Sequence, residues 1–156
     1  MSIKVGDKAP DFTLPKQDGT PANLKELLQK SAVVLYFYPK DDTPGCTKEA
    51  CSFRDSYEAF KDAGAEVVGI SSQSAASHEA FAAKYRLPFT LVSDEGGKVR
   101  SQYGVPSTLG LLPGRVTYVI DRDGTVRHVF NSQLNATRHV TEALNIVKQL
   151  TGKTAN

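Results

Sequence analysis

The sequence predicts an α/β domain with a mixed central sheet flanked by helices, and three features carry that prediction. Apolar runs of strand length recur along the chain. Helical segments with period 3.6 alternate with them, and the C-terminal part ends in a hairpin signal followed by an amphipathic helix. A length of 156 residues suits one compact domain, 1–156, with a single sizeable core.

Residues 10–14 (PDFTL) form a short strand, and Asp18-Gly19 supplies the turn after it. Val33–Tyr38 is a continuous apolar, β-branched and aromatic run, as expected of a strand buried on both faces, and Pro39 ends it. From Thr47 to Ala63 the residues Ala50, Phe53, Tyr57 and Phe60 recur at helical spacing. Pro44 fits the first turn of that helix, Thr43 its N-cap, and Gly64 its close. Glu66–Ser71 is a strand, Ser77–Tyr85 a helix, Phe89–Ser93 a strand and Lys98–Tyr103 a short helix. Arg115–Ile120 and Thr125–Phe130 flank Asp123-Gly124, a two-strand turn signal. The last helix runs over 136–150, with Val140, Ala143, Leu144, Val147 and Leu150 on one face and Gly152 after its end. This order is compatible with a thioredoxin-like fold.

Composition narrows the function classes. A formal charge of +2 with scattered basic residues gives no electrostatic footprint for nucleic acid or a membrane surface. No apolar run approaches the roughly 20 residues of a membrane span. The N-terminal MSIKVGDKAPDF lacks the apolar core of a secretion signal and the Arg- and Ser-rich character of a transit peptide. Two cysteines are too few for a secreted disulfide scaffold, which points to a reducing compartment. The expected location is the cytoplasm, the alternative being a plastid for a form already stripped of its transit peptide.

The most informative segment is Pro39-Lys-Asp-Asp-Thr43-Pro-Gly-Cys46-Thr-Lys-Glu49-Ala-Cys51, which holds both cysteines. A thiol attacks only as its thiolate. With Thr43 as cap, Cys46 falls in the first helical turn, where unpaired N–H groups favour an anion, and the Pro-Gly turn should expose it. Asp41 and Asp42 oppose that charge, so a further cation is required. Arg115, directly after Pro113-Gly114 at the start of a core strand, is the candidate, the alternative being a surface strand residue. Residues five apart on an intact helix have Cα atoms roughly 8.5 Å apart. A disulfide needs them within about 7 Å. Cys46 and Cys51 therefore either never pair or pair only when the first turns unwind. Cys51 also fits a small buried hydrophobe. Cys-x4-Cys is not a zinc spacing, and His78, His128 and His139 are dispersed singly, so no metal site is expected.

Pro39-x3-Thr43-x2-Cys46 resembles the active-site signature of peroxiredoxins. The stretch YFYPKDDTPGCTKEAC is similar to the peroxiredoxin Q / bacterioferritin comigratory protein subfamily in its plant and cyanobacterial form. FRDSYEAFKDAGAEVVGIS, YRLPFTLVSDEGGKVR, Gly104–Pro106 and LPGRVTYVID extend the resemblance over nearly the full length, Ser107–Leu112 being its least similar part. It implies thiol-dependent reduction of hydrogen peroxide and organic hydroperoxides without a bound cofactor or metal. Cys46 would be the peroxidatic cysteine, with Thr43 hydrogen-bonding thiolate and peroxide. Arg115 would hold the charge, and Pro39 would shield the loop. Glu49 would orient Arg115, the alternative being a solvated Glu in the helix's first turn. Cys51 would resolve the sulfenic acid into an intramolecular disulfide, re-reduced by thioredoxin or a similar dithiol, and a monomer would suffice. Two rival functions share the fold: a general thiol–disulfide oxidoreductase, which would carry Cys-x-x-Cys, and a redox sensor using the same unwinding.

Overall fold

In the computed structural model, residues 2–105, 107–108, 112–132 and 135–151 are described. The chain opens with an antiparallel pair, β1 (Thr13–Pro15) and β2 (Pro21–Asn23), joined through the predicted Asp18-Gly19 turn. Asn23 then caps α1 (Leu24–Leu28) by accepting from the Glu26 N–H. There follow β3 (Ala32–Phe37), α2 (Pro44–Asp55), α3 (Tyr57–Asp62), β4 (Ala65–Ser71) and α4 (Ala75–Tyr85). Next come β5 (Thr90–Ser93), a 3-10 turn at Glu95–Gly97, and α5 (Lys98–Tyr103). The short β6 (Ser107–Thr108) and β7 (Leu112–Pro113) pair with each other. The chain then forms β8 (Val116–Ile120), β9 (Val126–Asn131) and α6 (Ala136–Thr151).

The main sheet has the order β5-β4-β3-β8-β9. Its β3–β4 and β4–β5 pairs are parallel, while β3–β8 and β8–β9 are antiparallel, so the expected mixed sheet is present. The central strand β3 is buried along its whole length because both faces of the sheet are covered. Val34 and Tyr36, with Tyr38 just beyond, face Phe53 of α2, Phe60 of α3, Phe81 of α4 and Val140 and Val147 of α6. Val33, Leu35 and Phe37 face Phe12, Leu24 and Leu28 of α1, and Val99 and Tyr103 of α5. A period of two thus splits one apolar run between two cores.

Three local expectations change. The single helix over 47–63 is two helices: Ser56 (φ −102°, ψ 3°) leaves the helical region, its N–H shared among the carbonyls of Ser52, Phe53 and Arg54. The break turns Tyr57 so that its hydroxyl donates to Glu66 at 2.9 Å. Leu150 is 40 % exposed rather than part of the buried stripe, because α6 runs past Val147 onto the surface near Ala32 and Gly64. The elements β2 and α1 fill 21–28, a stretch with no element in the sequence reading. Gly152 lies outside the described residues, as do 109–111 within the Ser107–Leu112 stretch.

Gly69 on β4 lies beneath the Tyr36 ring. A Cβ there would sit 2.7 Å from Leu91 Cδ2 and 2.8 Å from Tyr36 Cζ. Gly69→Ala is expected to destabilise the fold by about 1–3 kcal/mol through overpacking, read as a lower urea midpoint at unchanged slope.

Candidate active site

The chain leaves β3 at the half-buried Pro39 and reaches α2 through a loop pinned at two adjacent acids. Asp41 is buried. It accepts from Tyr38 Oη at 2.6 Å and Ser77 Oγ at 2.7 Å, and faces His78 Nδ1 at 2.7 Å. His78, fully buried on α4, directs its other nitrogen to the Val92 carbonyl at 2.9 Å. Both ring nitrogens thus face oxygen atoms, one from the Asp41 carboxylate and one from the β5 backbone. Burial alone would raise the Asp41 pKa, but hydrogen bonds from His78, Tyr38 and Ser77 hold it below the usual carboxylate value. Asp42 sits in the left-handed region (φ 57°), and Lys84 Nζ (2.8 Å) and Tyr85 Oη (2.7 Å) donate to it. The two acids that should oppose a thiolate are therefore both engaged by α4.

Thr43 is the N-cap residue of α2, with Pro44 opening the helix, but its side chain does not cap. Its hydroxyl donates instead to the Lys40 carbonyl at 3.0 Å. Cys46 is only 1 % exposed, against the exposed position expected from the Pro-Gly turn, because α2 turns it toward the core that contains Tyr36 and Ala50. Arg115, buried just ahead of β8, reaches across to it: Nη2 donates to Cys46 Sγ at 3.3 Å, and Nη1 donates to Glu49 Oε1 at 2.6 Å. Gly45 makes room for this fork, since a Cβ there would lie 2.9 Å from Arg115 Nη2. The Arg115 carbonyl accepts from the Ser132 N–H at 3.2 Å, which fixes the residue against the end of β9.

Glu49 is fully buried, not a solvated first-turn residue, and burial pushes its pKa up to about 8 despite the neighbouring guanidinium. Among the described residues its Oε2 has no hydrogen-bond partner. That oxygen lies 3.6 Å from Nδ1 of the buried His139 on α6. His139 meets Thr117 Oγ1 at 2.7 Å through Nδ1 and the Ser132 carbonyl at 2.7 Å through Nε2. Burial lowers its pKa to about 4, so the ring is neutral near pH 7. Cys51 is half-buried on the same helix, and both cysteines are free thiols.

Of the six sequence-predicted residues, Cys46, Glu49 and Arg115 form one contact chain, Thr43 and Pro39 lie on the chain between β3 and α2 just ahead of it, and Cys51 lies further along α2. Sequence reasoning missed Asp41, His78, Thr117 and His139. A signal existed for the two histidines: His78 shares a helical face with Phe81, and His139 shares one with Ala136 and Ala143. Chemically, a buried sulfur that accepts from a guanidinium is suited to carry negative charge, and the same guanidinium is suited to stabilise charge on a departing oxygen. Among the described residues no group of histidine, cysteine and carboxylate side chains could hold a metal ion.

The sequence pattern of the AhpC/TSA family matches residues 5–129. A chloroplastic peroxiredoxin Q of Triticum aestivum is 58% identical over 149 residues, covering 95% of this chain and 68% of that protein. The crystal structure of peroxidoxin BcpB from Mycobacterium tuberculosis superposes with a TM-score of 0.89 at 42% identity, covering 95% of this chain and 98% of that one. A Xanthomonas campestris bacterioferritin comigratory protein, described with alkyl peroxide reduction activity, gives a TM-score of 0.82 at 29% identity over 90% and 92% of the two chains. The cytoplasmic expectation is corrected by these relatives. Those 58% identical, from Triticum aestivum, Sedum lineare and Arabidopsis thaliana, are named chloroplastic.

Asp41→Asn should cost about 1–3 kcal/mol near neutral pH, because it removes one of the two oxygens that Tyr38, Ser77 and His78 share in the interior. The folded Asp41 pKa is depressed, so its contribution is present above the unfolded carboxylate value of about 3.9 and lost as pH falls through the folded value. The gap in urea midpoint between wild type and variant should accordingly close as the solution is acidified.

Proposed function

The chain belongs to the AhpC/TSA family, and within it to the peroxiredoxin Q group, and on that premise we propose that Cys46 is its peroxidatic cysteine and Cys51 its resolving cysteine. The protein is a thiol peroxidase: its substrates are hydroperoxides, and its reductant is a dithiol of the thioredoxin type. One observation carries the assignment of roles, namely the buried Arg115 fork that spans Cys46 Sγ and Glu49 Oε1.

In the proposed cycle the Cys46 thiolate attacks one peroxide oxygen. The S–O bond forms, the O–O bond breaks, and the second oxygen leaves as water or an alcohol after taking a proton. Sulfur is oxidised by two electrons to sulfenic acid. Arg115 holds the reacting charge before and during attack. Thr43 contributes a hydroxyl that is free of capping duty and can turn from the Lys40 carbonyl toward the entering peroxide. Pro39 shields the loop from water, and Glu49 fixes the plane of the guanidinium.

Cys51 then attacks the sulfenic sulfur and expels water, giving an intramolecular disulfide that a dithiol reopens by exchange. Both cysteines lie within the continuous helix Pro44–Asp55. Helical geometry separates their Cα atoms by roughly 8.5 Å, beyond disulfide reach, so the first turns of α2 must open. Because both thiols belong to one chain, a monomer is sufficient. The proposed location is a plastid.

Arg115→Ala should lower the rate constant for peroxide reduction by roughly 10²–10³-fold, the scale of losing one preorganised donor. A rate within a factor of two of wild type would remove Arg115 from the mechanism. Thiol counting and intact mass after one equivalent of hydrogen peroxide test the two cysteines. Wild type should lose both thiols, Cys51→Ser should stop at a sulfenic acid and fail to turn over with thioredoxin, and Cys46→Ser should not react. Loss of thiol independent of Cys46 would refute the assignment.

A further inference from the structure

Among the described residues, the buried site contains one cation and two groups able to be its anion. Arg115 touches Cys46 Sγ at 3.3 Å and Glu49 Oε1 at 2.6 Å, and all three residues are less than 5 % exposed. Two anions on one guanidinium in a dry interior leave an uncompensated negative charge, which burial disfavours strongly. The titratable and charged groups facing Glu49 are Cys46 on its own helix, Tyr36 on β3, Arg115 ahead of β8 and His139 on α6. None of these except Arg115 offers positive charge, since His139 is neutral near pH 7.

The geometry of His139 decides which anion yields. Its Nε2 faces the Ser132 carbonyl, an acceptor, so Nε2 carries the proton of the neutral ring. Nδ1 then presents its lone pair, which accepts from the Thr117 hydroxyl at 2.7 Å and also faces Glu49 Oε2 at 3.6 Å. An electron-rich nitrogen beside an oxygen that has no hydrogen-bond partner among the described residues disfavours the carboxylate and favours the acid.

We propose that Glu49 is a redox-linked proton store: it is a carboxylic acid while Cys46 is a thiolate, and it ionises when Cys46 becomes a sulfenic acid, with His139 as the positioning residue that sets this order. The inference rests on Cys46 being the attacking thiolate. The step balances. Thiolate and hydroperoxide give sulfenic acid and an alkoxide or hydroxide, which takes up one proton. Glu49 gives up one proton, and Arg115 exchanges a thiolate partner for a carboxylate. The net charge of the interior is the same before and after, so Arg115 has one anionic partner in each state. The raised pKa of Glu49, about 8, agrees with its holding a proton in the reduced protein.

The test is the infrared difference spectrum of Cys51→Ser, reduced against oxidised with one equivalent of hydrogen peroxide at neutral pH. Oxidation should remove a carboxylic acid carbonyl band and add carboxylate bands, and neither change should appear when Glu49→Gln is added. In reduced protein, His139→Phe should lower the pH at which the acid band disappears by about one unit. Thr117→Val, which frees Nδ1 to accept from the acid, should raise it. The latter also decides the role of His139 should His139→Phe not fold. If intact mass shows Cys46 oxidised while the acid band persists, the proton store is overturned and the peroxidase roles stand. If Cys46 does not react with peroxide, both fall. Unchanged titration in the His139 and Thr117 variants would reduce His139 to a packing residue.

Discussion

The site depends on a single buried guanidinium. Arg115 stands where β8 begins, at the edge of a strand that pairs with the fully buried β3, so its backbone is as fixed as the core itself. From there one planar fork reaches two residues on the neighbouring helix. Burial works against its charge, yet Glu49 and Cys46 outweigh that and keep the group firmly protonated. A lysine could supply the charge but not two donors in a fixed plane. The absence of a Cβ at Gly45 and the burial of Glu49 are both conditions for that fork to close.

The second organising feature is the way α4 holds the loop before Cys46. Asp41 and Asp42 bind His78, Ser77, Lys84 and Tyr85, so consecutive residues are tied to the interior and to the surface of one helix. The consequence is mechanical and electrostatic at once. The chain enters α2 from a fixed point, and two carboxylates that would otherwise oppose negative charge on Cys46 are compensated before their field reaches it. The segment that must rearrange is thereby confined to the turns between Thr43 and Phe53, whose ring is locked among Tyr36, Phe60 and Phe89.

Much of this was legible in the sequence, for identifiable reasons. The β3 run, the Asp123-Gly124 hairpin and the alternation of strands with helices come from periodicity and turn chemistry, which are local. Arg115 was reachable because its place after Pro113-Gly114 at a strand start is also local, and the cysteine segment demanded a cation. The break at Ser56 was not legible, since the apolar spacing continues smoothly from Phe53 through Tyr57 to Phe60. The histidines beside Asp41 and Glu49 were not legible either. They sit on α4 and α6, brought together only by the sheet order, and pairs separated by 37 and 90 positions leave no trace in a single chain. Thr43 is a subtler case: its position at the helix start was right, but its hydroxyl donates to the Lys40 carbonyl instead of accepting from an N–H of the first turn.

The unused cap at Thr43 also bears on timing. Helix α2 begins with no side-chain cap and no acidic residue in its first turn, so both common devices for securing a helix start are missing. Its opening turn is therefore the least costly part of the helix to melt. A conventional cap is worth about 1 kcal/mol, which would make the frayed conformer roughly fivefold rarer. Because resolution of the sulfenic acid draws on that minority population, the missing cap sets how long the oxidised sulfur waits for its partner. That interval decides how often a second peroxide arrives first and carries the sulfur to the irreversible sulfinic state.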